Sequence, residues 1–233
     1  MSSTMSCSLF GKLPAKRDYV AIAIPPNVLE VWDRWLQAGL STSRLHLKEK
    51  WQQVYLRAPI WRFWLGPELC GGTTVAGAFM PSVDAVGRYF PLTIMACASK
   101  PIIIPPPEFD LQDAWFSQVE QVLLSALEPD VRFETVRESV DRLPCPKGQT
   151  HVQPSNRMKR FPDGTIFAAA DSGSPQSMLA ALRVIDYARV YATTAFWWTV
   201  GGEDFPPLIL MSQRMPDPYL FPTFLTGRAE GAV

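Results

Sequence analysis

From residue 27 onward the apolar positions Val28, Val31, Trp32, Trp35, Leu36 and Leu40 recur at helical spacing, which sets an apolar face against a polar one. Asn27 is placed to cap this helix, and Gly39 lies near its stop. A second helix is predicted over 43–57, with Leu47, Trp51, Val54 and Tyr55 on one face, Lys48, Glu49 and Lys50 in water, and Pro59 closing it. Ahead of both, residues 8–13 read as a short strand. Pro14 and the triplet Lys16, Arg17, Asp18 read as a turn, and residues 19–24 as a second strand ended by Pro25 and Pro26.

Residues 60–65, 73–79 and 90–98 carry the β-branched, aromatic and small apolar side chains that fill a sheet, and they predict three neighbouring strands. Gly66-Pro67 and Gly71-Gly72 supply the first turn material. The segment 101–107 is too rich in proline for a central strand and reads as an extended passage along an edge or surface. Asp110 is placed to cap a helix running to Leu127, and another helix fits 130–143. The polar stretch 144–164, with Arg157, Lys159 and Arg160 clustered, reads as a long surface loop. A strand over 165–170, a helix over 177–191, strands over 195–200 and 208–211, and a short helix or irregular tail over 216–225 complete the chain. Helices stand both between and after strands. The expected fold is therefore α/β, a mixed central sheet flanked by helices as a three-layer sandwich, in one domain over residues 1–233.

Composition narrows the function classes. The 233 residues are 47% hydrophobic and 19% charged, with eight Trp and thirteen Phe, so a sizeable core is expected and disorder is not. Lysine plus arginine balance aspartate plus glutamate at 22 each, so no overall field draws the chain to nucleic acid or to an anionic membrane. No apolar run is long enough to span a bilayer, and the N-terminus lacks a secretory pattern. Cys7, Cys70, Cys97 and Cys145 form no Cys-x-x-Cys pair and read as reduced thiols, so the expected location is the cytoplasm.

The familiar catalytic patterns are missing. Only His46 and His151 are present, neither near a cysteine pair, which leaves no zinc pattern. The phosphate-binding, dinucleotide and nucleophile-elbow glycine motifs are absent as well. Cys70, just before Gly71-Gly72, reads either as a nucleophile that would need a histidine beside it or as a small apolar side chain at a tight turn. Catalytic residues, metal and cofactor are all expected to be none.

The polar groups that stand out lie between residues 80 and 93. Ser82, Asp84 and Arg88 have no hydrophobic role there, and they sit between two apolar runs. Asp84 and Arg88 read as a local ion pair or Asx-type turn shaping the connection, with Gly87 as the permissive backbone, or as a contact point for another protein. Lys12, Lys16, Arg17 and Asp18 form either a recognition surface or a solvated turn. Arg62, among Trp61, Phe63 and Trp64, is expected either to pair with Asp84 or to lie exposed against a tryptophan. Trp197 and Trp198 should point to opposite faces of their strand.

Four ordered motifs carry a resemblance. Phe10-Gly-Lys-Leu-Pro-Ala-Lys-Arg-Asp-Tyr-Val20, Trp32-Asp-x-Trp-Leu-Gln-x-Gly-Leu40, Ala58-Pro-x-Trp-Arg-Phe63 and Pro81-Ser-Val-Asp-x-Val-Gly-Arg-x-Phe-Pro-Leu-Thr93 together resemble the TagF family, also called ImpM. The likeness is dense over residues 8–98 and thinner beyond, where Phe196-Trp-Trp-Thr-x-Gly-Gly202 is its clearest echo. One departure stands out: the family commonly has Arg-Gly-Asp where this chain has Lys16-Arg17-Asp18, which removes a glycine from the turn. The resemblance implies an α/β sandwich without established catalytic residues. It also implies a cytoplasmic accessory protein that restrains type VI secretion after translation by engaging the forkhead-associated scaffold protein of that system. The other readings are a small-ligand or enzymatic domain built on the Asp84 and Arg88 loop, and a structural subunit of the secretion apparatus.

Overall fold

The computed structural model describes residues 5–150, 158–163, 165–168, 179, 182, 189–202 and 205–229. Its strands are β1 (Ser6–Gly11), β2 (Val20–Ile22), β3 (Trp61–Leu65), β4 (Thr73–Met80), β5 (Leu92–Ser99), β6 (Ile102–Ile103), β7 (Gln149–Thr150), β8 (Met158–Arg160), β9 (Ile166–Ala168), β10 (Ala195–Thr199) and β11 (Leu208–Ser212). The α-helices described from end to end are α1 (Pro26–Leu47), α2 (Trp51–Arg57), α3 (Asp113–Ser125), α4 (Phe133–Asp141) and α5 (Phe221–Thr226).

Seven strands form one sheet in the order β11-β10-β3-β4-β5-β1-β2. Every pairing in it is antiparallel, so the sheet is not the mixed one expected. A mixed sheet needs at least one parallel pair, but α1 and α2 join β2 at the sheet edge to β3 four places away. That distance leaves the direction of β3 free to match β4. The β3-β4-β5 neighbourhood stands as expected.

Buried apolar residues fall into two clusters. One joins Trp64, Ala76, Ala78, Met80, Ile94 and Trp198 to residues of α3 and α4. The other joins Phe63, Val75, Phe79, Met95 and Trp197 to α1, α2 and α5. Within β4 the split has the period of two expected of a strand buried on both faces. Trp197 and Trp198 accordingly belong to different clusters.

Several element boundaries move. Helix α1 starts on Pro26, where a missing N–H costs nothing. Asn27 does not cap it: Nδ2 donates instead to the Cys70 carbonyl at 2.6 Å and to Thr73 Oγ1 at 3.2 Å. Nor does Gly39 stop it. A Cβ at residue 39 would lie 2.2 Å from the Phe221 ring, so the glycine serves close helix packing, and α1 takes the first residues of the predicted second helix. A single 3-10 turn, Lys48–Lys50, separates it from α2.

Asp110 forms a turn ahead of α3 rather than its cap, accepting from the Gln112 amide at 3.0 Å, and α3 begins at Asp113. The proline-rich segment contributes β6, which pairs with β7 in a separate ribbon. The stretch read as a loop over 144–164 carries β7 and β8 and so is not loop throughout, while Arg157 and His151 lie outside the described residues. Most of the helix expected over 177–191 lies outside them too. No helix among the described residues is long and apolar enough to cross a membrane.

Candidate functional site

Two connections meet at one end of the sheet: the β1 to β2 turn over residues 12–19 and the β4 to β5 loop over residues 81–91. Gly11 makes the approach possible. A Cβ there would lie 1.9 Å from the Pro91 carbonyl oxygen, and its φ of +127° is open to glycine. The second loop turns at Asp84 to Gly87, where the Gly87 amide donates to the Asp84 carbonyl at 3.0 Å and Gly87 takes φ +83°. An isolated antiparallel bridge between Val83 and Tyr89 extends the hairpin beneath it.

The Asp84 side chain has no exposed surface and holds the two loops together. Its Oδ1 accepts from the amides of Val86 at 3.0 Å and Arg88 at 2.9 Å, an Asx-type arrangement. Its Oδ2 accepts from Lys12 Nζ at 3.0 Å and Arg88 Nε at 2.6 Å. Burial alone would push this carboxyl up. The bonds from the Arg88 amide, Lys12, the Arg88 guanidinium and the Val86 amide outweigh it and hold the group well below the usual carboxylate range. Two cations thus face one buried carboxylate. Arg88 reaches on to donate to the Arg17 carbonyl, and the Ala85 amide donates to the Lys16 carbonyl at 3.0 Å.

The candidate residues divide clearly. Lys12, Asp84 and Arg88 come together; Lys12 is buried rather than part of a solvated turn, and its ammonium also lies 4.6 Å from the Tyr19 ring centroid. Asp18 is almost fully exposed, with Oδ1 4.0 Å from Arg88 Nη2. Ser82 is buried and held through its backbone: its carbonyl accepts from Tyr55 Oη and its amide donates to the same oxygen, both at 3.1 Å, while Oγ has no partner among the described residues. Arg17, where the family commonly has glycine, is not among the residues with positive φ, so this turn does not need the missing glycine.

Arg62 belongs elsewhere, and its expected pairing with Asp84 is wrong. Buried in β3, it donates through Nε and Nη2 to Glu120 at 2.6 and 3.0 Å and through Nη1 to Asp113 at 2.7 Å. Its guanidinium lies 5.3 Å from the Phe116 ring centroid. Burial disfavours its charge, but Glu120 and then Asp113 more than offset that and raise its pKa. Arg62 therefore fastens α3 to the sheet. Cys70 is a core thiol that burial pushes up to about 12, protonated at neutral pH, and all four described cysteines are free.

Two contributors were not singled out from sequence. Tyr55 braces the Ser82 backbone from α2, and Tyr19 covers Lys12. Each reads as ordinary core patterning, and only the short spacing from Asp18 to Tyr19 gave a hint.

The TagF N-terminal domain family, described as type VI secretion system-associated, matches residues 8–143. Among solved structures, the crystal structure of PA0076 from Pseudomonas aeruginosa PAO1 is similar, with 32% identity and a TM-score of 0.79 over 98% of this chain and 97% of that one. No curated protein matches.

Proposed function

Because the chain belongs to the TagF family of type VI secretion system-associated proteins, we propose that it is a non-enzymatic cytoplasmic regulator of that system. In this reading it restrains secretion after translation by binding the forkhead-associated scaffold protein of the apparatus. A three-layer sandwich, with helices over both faces of the sheet, accounts for the two buried clusters and is part of the same proposal.

One observation carries the reading. The first and last of the four sequence motifs meet at a single node, where buried Lys12 and Asp84 with half-exposed Arg88 hold an exposed tip made of Arg17, Asp18, Ala85 and Val86. A fully committed carboxylate beneath an exposed loop suits presentation of a contact surface. It suits chemistry poorly, since four donors already occupy the two Asp84 oxygens. Binding of the purified chain to the scaffold of its own secretion system, measured by calorimetry, tests the proposal. Association that Asp18→Lys together with Arg88→Glu weakens is the expected result, and no association by the wild-type chain overturns the partner assignment.

A further inference from the structure

Beside the node a groove of about 540 Å³ opens between the second half of α1 and the residues leading into β5. Leu40 and Phe90 line it as buried side chains, with Tyr19 and Tyr89 also lining it. On the helix side Leu45, 75% exposed, and Arg44 line it together with Gln37 and Ser41. The aromatic wall is firmly built: Tyr19 meets Phe90 edge-on at 4.9 Å and stacks on Phe10 at 6.5 Å. Leu45 continues the apolar part of this mixed groove out to the surface, where a partner's apolar side chain can cover it.

Charge decides the kind of occupant. Arg44 lies 4.5 Å above the Trp51 ring, which engages the face of its guanidinium and not its N–H edge. Arg88, half exposed and next in sequence to the lining Tyr89, adds a second cation beside the groove, while Asp33 is the leading acid influence on the Tyr19 phenol. The nearby acids are partly spent: Asp84 is buried under two cations, and Asp33 accepts from Gln37 at 2.7 Å. In a chain of zero net charge, the exposed groups Arg17, Arg44 and Arg88 outnumber exposed Asp18 and half-buried Asp33 here.

We propose that this groove docks an extended acidic segment of a protein partner, seating one leucine or phenylalanine side chain against Leu40 and Phe90 and placing carboxylates on Arg44 and Arg88. The inference rests on the reading of the chain as a partner-binding module and names the surface that reading leaves open. It fits recognition through an apolar anchor with a charged rim.

The test uses the full chain with two probes, the hexapeptide Glu-Asp-Leu-Phe-Glu-Asp and the purified scaffold. The variants are Arg44→Glu and Leu45→Asp, with Arg137→Glu on α4 as a distant charge control. The expected result is slowed amide exchange over residues 37–45 and 89–90 on adding peptide, with binding at least roughly tenfold weaker in both variants and unchanged in the control. Peptide that maps to the groove while the scaffold fails to bind keeps this proposal and removes the scaffold assignment. Scaffold bound equally by wild type and both variants overturns the groove and leaves that assignment standing. Peptide that protects no part of the groove overturns the proposal, as does a dimer in solution that Leu45→Asp dissociates.

Discussion

Asp84 and Arg88 are four residues apart and bonded to each other, yet their exposures set them up for opposite responses to mutation. Asp84→Ala leaves the Lys12 ammonium buried without its carboxylate, and we expect a loss of about 3–5 kcal/mol in chemical denaturation. Arg88 is about half exposed, so Arg88→Ala should cost no more than about 1 kcal/mol and serve as a surface probe. A large loss from Arg88→Ala instead would make that side chain architectural. Acid provides a second check. The Asp84 pKa is depressed on folding from an ordinary 3.8, so its contribution is fully present above that value and is lost as pH falls through the lower folded value. The stability gap between wild type and Asp84→Asn should accordingly be widest near neutrality and shrink below about pH 4.

At the scale of elements, Arg62 and Gly39 each attach a helix. Arg62→Leu deprives the largely buried Glu120 of its partner and should cost about 2–3 kcal/mol, with faster amide exchange concentrated in α3 and β4 unchanged. Equal acceleration in the sheet would contradict a role confined to docking. Gly39→Ala sets two effects against each other. Alanine favours the helix by up to about 1 kcal/mol, but the new methyl group meets the buried Phe221 ring, and overpacking costs about 1–3 kcal/mol. A lowered urea midpoint is expected.

The same residues show why some features were legible in the sequence and others were not. The Asp84 to Arg88 contact spans four positions, and the α1 stripe repeats within one element, so local spacing reveals both. Lys12 reaches Asp84 across 72 positions and Arg62 reaches Glu120 across 58, distances at which only the folded topology chooses partners. The role of Gly39 is hidden for a related reason: it depends on Phe221, near the other end of the chain. The direction of the strands was hidden too, since a helix between two strands constrains them only when they become neighbours.

At the scale of the molecule, the family match ends at residue 143 while the sheet does not. Strand β10 lies against β3, and its Trp197 stacks on Trp32 and meets Trp35, which also contacts Phe221 and Phe224 of α5. A fragment ending at residue 143 would uncover Trp61 and Phe63 on that face and expose the β3 edge. We expect it to lack the near-ultraviolet dichroism of a packed tryptophan core, or to aggregate. A fragment that unfolds cooperatively with native tryptophan signals would overturn this.

The place of β10 also bears on synthesis. A ribosome makes β3 early in the chain and its second neighbour only in the last fifth, so most of translation passes with one side of β3 unpaired and a row of aromatic rings uncovered. The sheet cannot close on both sides of β3 until residues 195–199 have emerged, which makes the finished fold a late and non-local event. Premature termination would then release a species prone to sticking through its open strand edge, and the cell's chaperones and proteases would meet it before any secretion machinery did.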